Sequence, residues 1–533
     1  MLAHNKNDVS ADYEPNKLPV PAFGPPTAFP FLISSVPPAM RFRRHRPRVR
    51  PSFVLGLPLR AEASAWSRCV TLNTLEKNIM RKTSLALAVA ASTLGLSQVA
   101  FADFIGDSKA SLTLRNYYFD NDVKNTVSTG STTSGNYKNN SAAREWGQGF
   151  ILNYQSGFTE GTVGFGVDAI GMLGVRLDGG GRAGKTDRDR TPGQLFPLES
   201  DGSAVDDFSK GGVTGKVRFS KTEARIGTLM PKLPILTSND GRLLPQMFEG
   251  GMITSNEIDN LTLTAGQIEH ATSRASSNST GLSIDGRSTD QADSNKFYFG
   301  GGDWKINKDL TAQYYYANLE DFYKQHFAGL GHNLVLGEGN LKTDLRYFRT
   351  TSDGKNGSAA GRAEGYTANT TFGDGSGEVD NNTWSAAFTY SLGSHALMLG
   401  YQRVSDDSNF VQLNQGGIEG SSGASVYLLT DRLNTSFTRA GERTTFGQYS
   451  YDFANLGVPG LKASVAYLKG TNIQRADGSQ NKEWERDLAL DYVFQEGALK
   501  GLGLAWRNGM LRGNAATDAD QNRLIVSYTL PLM

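Results

Sequence analysis

Eight basic residues stand in extended stretches of this chain whose alternate positions are apolar. A guanidinium group binds a carboxylate through two parallel hydrogen bonds, whereas an ammonium group binds it as a point charge. In contact with water such a bond exchanges, so a row of these groups can pass small carboxylates along a path. The candidates for this path are Arg115, Arg176, Lys216, Arg218, Arg225, Lys342, Arg346 and Arg507. Some of them are expected to pair instead with Asp168, Glu223 or Asp344.

The motifs that would bind a nucleotide or a metal lack the context that their chemistry needs. Residues 179–186 match the phosphate-binding loop pattern, in which a buried strand leads directly into a helix N-terminus. Residues 187–193, which follow, have no apolar helical stripe. The six histidines show no ligand spacing, and His270, His326 and His332 are expected in loops or the lumen. We therefore predict no cofactor and no metal.

The basic residues stand in stretches where polar and apolar residues alternate, as they do in a β-strand with one apolar face. Between residues 213 and 219 every second residue is apolar or small, and the residues between are polar or cationic, which is typical of a strand. In the longest such stretch, 163–177, Asp168 and Arg176 lie opposite a continuous apolar face. So extended an apolar face suits lipid, where a cation would cost roughly 2–4 kcal/mol at the bilayer midplane. The basic residues are therefore expected to face the interior.

The connections between the predicted strands alternate in length. Residues 220–222 and 307–309 form tight turns, whereas 120–141, 179–210 and 353–382 form long polar loops. This alternation is typical of outer-membrane barrels, and no run of 18 apolar residues offers a transmembrane helix. At roughly 9–11 residues per strand, the chain accommodates about 16–18 strands. The predicted fold is all-β, a transmembrane antiparallel β-barrel.

Residues 80–102 have the three parts of a secretory signal peptide. A basic start at residues 80–82 precedes the apolar segment 84–96, and small residues end at Ala102. We therefore predict cleavage between Ala102 and Asp103.

A signal peptide must be N-terminal, so translation is predicted to start at Met80, and residues 1–79 to belong to a reading frame that was extended too far upstream. A genuine, disordered basic extension is the alternative. The barrel would then occupy residues 103–533.

The net charge of the barrel is negative. Of the 54 Lys and Arg residues 13 lie before Asp103, and of the 53 Asp and Glu residues 5 lie before it, which leaves the barrel near a charge of −7. This balance argues against a nucleic-acid partner, and the only cysteine, Cys69, lies in the leader.

Eight stretches in order along the chain carry a family resemblance. They are residues 157–169, 220–227, 242–246, 257–263, 297–304, 319–327, 457–461 and 520–526. In these stretches the chain resembles the OprD (Occ) family of outer-membrane porins of Pseudomonas-like Gram-negative bacteria. The resemblance implies an eighteen-stranded monomeric barrel whose lumen is narrowed by inward-folded loops. It also implies selective passive uptake, largely of small carboxylates.

The resemblance further implies two constriction segments. Residues 270–279, with Arg274, are similar to the family's inward loop 3, and residues 425–442 are similar to its loop 7. In the family an acidic group of loop 7 faces the basic ladder, and Asp431 is the nearest candidate here. Ser436 stands where some relatives carry Asp, so this chain departs from the pattern.

Two positions where relatives carry a lumen arginine are occupied here by Gln448 and Ala466. Both stand at alternate positions whose side chains are expected to face the interior of the barrel. The sequence therefore predicts weaker anion attraction and a wider or more apolar passage, suited to a bulky or aromatic monocarboxylate. The alternative is that Arg507 or Arg346 compensates from neighbouring strands.

Together these patterns predict a substrate-specific outer-membrane channel for passive diffusion of small organic carboxylates such as amino acids or aromatic acids, with no enzymatic activity. A structural or adhesive barrel with a closed lumen is the alternative, followed by an outer-membrane hydrolase, since catalytic triads assemble only in space. The expected partners are outer-membrane lipid, small carboxylates, periplasmic chaperones and the barrel assembly machinery. The expected state is a monomer or a weak trimer.

Overall fold

The computed structural model describes five stretches of the chain. They are residues 104–124, 142–181, 190–284, 292–415 and 423–533. The predicted extension, the signal peptide and the cleavage site at Ala102 and Asp103 lie outside the described residues. No helix in the described stretches is long and apolar enough to cross a membrane.

Strands dominate the described part of the chain, and they follow one another with few helical residues between them. In chain order the strands are β1 (Lys109–Val123), β2 (Ala142–Gln155), β3 (Val163–Asp178), β4 (Arg190–Thr191), β5 (Asp207–Phe219), β6 (Thr222–Leu229), β7 (Lys232–Leu233), β8 (Leu236–Thr237), β9 (Met247–Ser255), β10 (Leu261–Thr272), β11 (Leu282–Ile284), β12 (Phe297–Lys305), β13 (Leu310–Leu319), β14 (Tyr323–Leu336), β15 (Gly339–Ser352), β16 (Asp380–Leu392), β17 (His395–Val404), β18 (Leu413–Gln415), β19 (Arg443–Asp452), β20 (Leu461–Gln474), β21 (Gln480–Val493), β22 (Gly503–Gly513) and β23 (Ala519–Pro531). The short helical elements are the 3₁₀ turns Gly354–Gly357 and Phe453–Leu456 and the helix α1 (Ala359–Ala363).

Eighteen of these strands form a closed antiparallel barrel, in which each strand pairs with the next along the chain. The barrel closes where β23 pairs with β1, with Leu530 opposite Leu112. The remaining short strands lie outside this ladder; β4 only adds a short parallel pairing to β2. The prediction of an all-β antiparallel barrel of about 18 strands is confirmed.

The two ends of the barrel differ in the length of their connections. At one end, where β1 begins and β23 ends, tight turns join the strands. Ser220 and Gly337 adopt a left-handed backbone conformation in two of these turns (φ 53° and 60°). At the other end long segments join the strands, among them residues 353–379 and 405–442. We refer to these as the short-turn end and the long-loop end.

Alternating burial identifies the inner and outer faces of each strand. On β2, Ile151 is 5% exposed whereas its neighbour Leu152 is 46% exposed. On β5, Lys216 is 6% exposed whereas Val217 is 38% exposed. The period of two seen in the sequence is therefore a division between a packed interior and an apolar exterior.

The described residues of three long segments fold into the barrel and narrow its lumen. The segments are loop 230–246, loop 273–296 and loop 405–442, of which 285–291 and 416–422 are not described. The strand β11 of the second pairs with β18 of the third, and Thr237 of the first bridges to Ser425 of the third. Their apolar side chains, such as Leu282 and Val426, pack on inner-face aromatic residues including Phe348. Burying this surface holds the loops against the wall.

A smaller apolar cluster fixes the last part of loop 405–442 against the wall formed by β19 and β20. Phe437 packs there with Phe446, Leu468 and Ala466 of strands β19 and β20. Ala466 does have the predicted inward parity, but it is only 4% exposed. It lies beneath the loop, so Ala466 does not line an open path.

Candidate functional site

The centre of the lumen is organised by contacts between strand β1 and loop 230–246. Arg115 binds Asp240 through two hydrogen bonds, Nη1 to Oδ1 at 2.6 Å and Nη2 to Oδ2 at 3.2 Å. Its Nη1 also donates to the carbonyl of Arg242 at 3.0 Å. Tyr117, two residues along the same inner face, donates its hydroxyl proton to the carbonyl of Gly241 at 3.0 Å. The loop is thereby held against the wall at mid-barrel.

Two further arginines approach the same loop. Arg274 of loop 273–296 donates from Nη1 to Oδ1 of Asn239 at 3.1 Å. A Cβ atom added to Gly241 would lie 3.2 Å from Nη1 of Arg274 and 4.0 Å from Nη1 of Arg523. Both guanidinium tips therefore flank this glycine, which has no side chain to displace them. We define Arg115, Arg242, Arg274 and Arg523 as the arginine cluster.

The members of the arginine cluster differ in their acidic partners. Asp240 forms an ion pair with Arg115, and no carboxylate of the described residues lies within 4 Å of the side-chain nitrogens of Arg242 or Arg523. Arg523 is held by neutral acceptors, Oε1 of Gln521 at 2.6 Å and the carbonyl of Leu433 at 2.8 Å. Arg523, which is buried, therefore has only neutral partners at hydrogen-bond distance among the described residues.

The ionisation of Arg274 is affected by its surroundings. Burial, followed by repulsion from Arg523, lowers the pKa of Arg274 to about 10. A pKa in this range keeps the guanidinium protonated at neutral pH. The group therefore retains its charge despite its enclosed position.

Asp431 and Ser436, the candidates of loop 405–442, are hydrogen-bonded to each other. The hydroxyl of Ser436 donates to Oδ1 of Asp431 at 2.7 Å. Because Ser436 cannot ionise, Asp431 is the acidic member of this pair. Asp431 interacts electrostatically with Arg274 and with Arg432. Arg432 in turn donates from Nη1 to Oε1 of Gln448 at 2.9 Å.

The predicted basic residues of strands β3, β5 and β6 contact groups outside the arginine cluster. Lys216 is enclosed, with Nζ 2.6 Å from Oδ1 of Asp168 and 2.8 Å from the carbonyl of Ser156. Arg218 stacks over Phe158, 4.1 Å from the ring centroid.

The two other arginines of this group pair with carboxylates. Arg225 is paired with Glu223 at 2.5 Å. Arg176 bonds to Asp206 and to the carbonyl of Ala204. These four cations thus lie on the inner face but outside the arginine cluster.

The remaining candidates lie on strands β15 and β22. Arg346 pairs with Asp344 through two hydrogen bonds of 2.8 and 2.9 Å, and it lies 3.9 Å from the Tyr427 ring centroid. Lys342 is exposed near the short-turn end. Arg507 is 2.5 Å from Asp491.

Arg507 also pairs in register with Arg523, so it adjoins the cluster. Of the eight predicted cations, the structure therefore brings Arg115 and Arg507 to the cluster.

Sequence reasoning missed Arg242, Arg523, Arg432 and Lys210. Lys210 is buried and donates from Nζ to the carbonyl of Ser273 at 2.7 Å. Parity could have identified Arg523 and Lys210, which alternate with outward residues of their strands. Arg242 and Arg432 stand in loops, where no period indicates the direction of a side chain.

Comparisons with known proteins agree with this architecture. A family model described as outer membrane porin, OprD family, matches residues 102–532. The chain belongs to the OprD family of porins. The porin is 36% identical to the porin-like protein GalP of Pseudomonas putida over 447 residues, which covers 83% of this chain and 96% of that protein. The family and the closed barrel place it in the outer membrane, with short turns in the periplasm and long loops outside.

Solved structures of Pseudomonas aeruginosa porins share this fold. OccK8 (OprE) is 53% identical with a TM-score of 0.72, and the match covers 81% of this chain and all of that chain. OpdK, solved with vanillate, is 35% identical with a TM-score of 0.68, and the match covers 80% of this chain and all of that chain. This porin is therefore an outer-membrane channel of the OprD/Occ type.

Proposed function

We propose that this porin conducts small organic carboxylates by passive diffusion and that the arginine cluster is their main binding step. The observation that supports this is the grouping of four guanidinium groups, from two strands and two loops, around Gly241. Carboxylates match guanidinium geometry because two parallel hydrogen bonds can form. No catalytic step is part of the proposal, since binding and release along a gradient suffice.

Asp240 supports rapid exchange at this position. Its carboxylate already occupies the fork of Arg115, with hydrogen bonds of 2.6 and 3.2 Å. A substrate carboxylate must compete for this arginine or use the neighbouring Arg523. Binding that is neither too weak nor too strong allows conduction, because an ion held too tightly does not leave.

The favoured substrate within this class is an aromatic monocarboxylate. Tyr427 lies against Arg346 on the wall of the lumen, so an aromatic ring has an apolar surface next to a cation. The relative OpdK was solved with vanillate, which is an aromatic monocarboxylate. A ring that stacks while its carboxylate binds an arginine would gain both contacts.

Liposome swelling tests the proposal. Wild-type porin and the variant Arg523→Gln are reconstituted, and entry of benzoate, an amino acid and a neutral sugar of similar size is compared. We expect wild type to favour benzoate over the sugar, and the variant to lose most of that preference. The control is Lys308→Gln, which removes a cation from an exposed periplasmic turn. Equal entry of benzoate and sugar into wild-type liposomes contradicts the proposal.

A further inference from the structure

A second group of cations lies on the outer face of the barrel at the long-loop end. Arg403 stands next to the end of β17, Arg443 begins β19, and Lys469 lies in the upper part of β20. All three are exposed. Their chain neighbours Gln402 and Thr444 are 0% exposed on the inner face. We call Arg403, Arg443 and Lys469 the outer basic patch.

The strand register places like charges side by side in this patch. Arg403 and Arg443 are direct partners in the ladder between β17 and β19. Lys469 pairs with Thr445, two residues further along β19 from Arg443. Like charges directly opposite each other destabilise a sheet. The chain therefore tolerates a local repulsion that an anion between the side chains would relieve.

The described part of the chain provides no such anion at this place. No carboxylate of the described residues lies within 4 Å of the side-chain nitrogens of the outer basic patch. Two other outer-face cations at the same end, Lys324 and Arg512, do have acidic partners. Lys324 is 2.6 Å from Asp353, and Arg512 is 2.7 Å from Asp520. The outer basic patch differs in this respect from Lys324 and Arg512.

Aromatic residues locate the patch relative to the membrane. Trp384 is the register partner of Arg403 and is 41% exposed on the outer face. Trp484 is the register partner of Lys469, and its ring lies 5.7 Å from that of Tyr467. Trp and Tyr on a barrel exterior favour the headgroup level. Because the long loops are extracellular, this level belongs to the outer leaflet.

We propose that the outer basic patch binds the phosphate groups of an anionic glycolipid in the outer leaflet. Two adjacent guanidinium groups and one ammonium group match a phosphate, which accepts several charge-assisted hydrogen bonds. The neighbouring Trp384 and Trp484 would contact the sugar and upper acyl region. The site lies outside the lumen, so it is independent of the transport path and of the substrate proposed above.

Native mass spectrometry in detergent tests the proposal with a bis-phosphorylated lipid A as the probe. Wild-type porin is compared with Arg403→Gln/Arg443→Gln/Lys469→Gln. The matched control, Lys308→Gln/Lys462→Gln/Lys500→Gln, removes three cations at the periplasmic end. Dephosphorylated lipid A, phosphatidylglycerol and inorganic phosphate form the other arms. A heat-modifiable gel shift verifies that each barrel is folded.

We expect the patch variant to bind bis-phosphorylated lipid A roughly tenfold to a hundredfold more weakly than wild type, whereas the control variant binds normally. Dephosphorylated lipid A should bind weakly to all three proteins. If the triple variant does not fold, Arg443→Gln alone should cause a severalfold loss.

Equal binding by wild type and the patch variant overturns the proposal. So does equal binding of phosphorylated and dephosphorylated lipid A, or of phosphatidylglycerol and lipid A. Binding of inorganic phosphate without binding of the lipid overturns it as well.

Discussion

At the scale of single residues, Arg432 supplies a cation where the sequence shows only a glutamine. Its Nη1 donates to Oε1 of Gln448 at 2.9 Å. A cation of the loop thus lies at the position where the resemblance predicted the loss of a strand arginine. The sequence suggested Arg507 or Arg346 as the compensating residue. Neither reaches Gln448, because Arg346 pairs with Asp344 of its own strand and Arg507 pairs with Asp491 of the neighbouring strand.

This replacement gives a prediction for a pair of variants. Arg432→Gln should lower entry of small carboxylates about fivefold relative to a neutral sugar, since a cation beside a partly wet path contributes about 1 kcal/mol. The exchange variant Arg432→Gln/Gln448→Arg should restore entry, because it returns a cation to the same place. Liposome swelling measures both. Failure of the exchange variant to recover would show that this position does not attract the substrate.

The residue scale also shows why only part of the site could be read from the sequence. Parity assigns Arg115 and Lys216 to the inner face equally well. Only the register of β3 with β5 shows that Lys216 lies beside Asp168 and is enclosed by it. For Arg242 and Arg274, which stand in loops, direction depends on contacts with residues far away in the chain, which no local period encodes.

At the scale of elements, the strands could be predicted because apolar and polar residues alternate in each of them. The packing of the loops could not be predicted, because loop residues have no such alternation. The closing strand β23 illustrates the first case. Leu524 and Val526 are 50% and 38% exposed on its outer face, while Arg523 is buried. Its ladder with β1 is the last pairing that removes free edges from the sheet.

Deleting residues 523–533 should therefore abolish assembly. Without most of β23, strands β1 and β22 both keep unpaired backbone groups in the bilayer, where each such group costs several kcal/mol. Refolding into detergent followed by a heat-modifiable gel shift measures this. Removal of Leu532 and Met533 alone, which lie beyond β23, should leave a folded barrel. A compact, heat-modifiable product from the longer deletion contradicts the prediction.

At the scale of the whole molecule, the start of the mature chain is a prediction from residues 80–102. Insertion into the outer membrane requires export, and a secretory signal peptide is absent from the mature protein. N-terminal sequencing of the porin extracted from outer membranes should give Asp103 as the first residue. Recovery of Met1 on that protein would show that residues 1–79 are part of the mature chain.

The central claim is that the arginine cluster makes the open channel favour carboxylates. Reversal potentials in a sodium benzoate gradient across a planar bilayer test it directly. The wild-type channel should be anion-selective, and Arg274→Gln/Arg523→Gln should reduce the benzoate-to-sodium permeability ratio about tenfold or more, since two cations near the path are lost. Arg403→Gln, which removes a cation from the outer face, should keep the wild-type ratio. An unchanged ratio in the double variant, or a wild-type channel that favours sodium, would contradict the account.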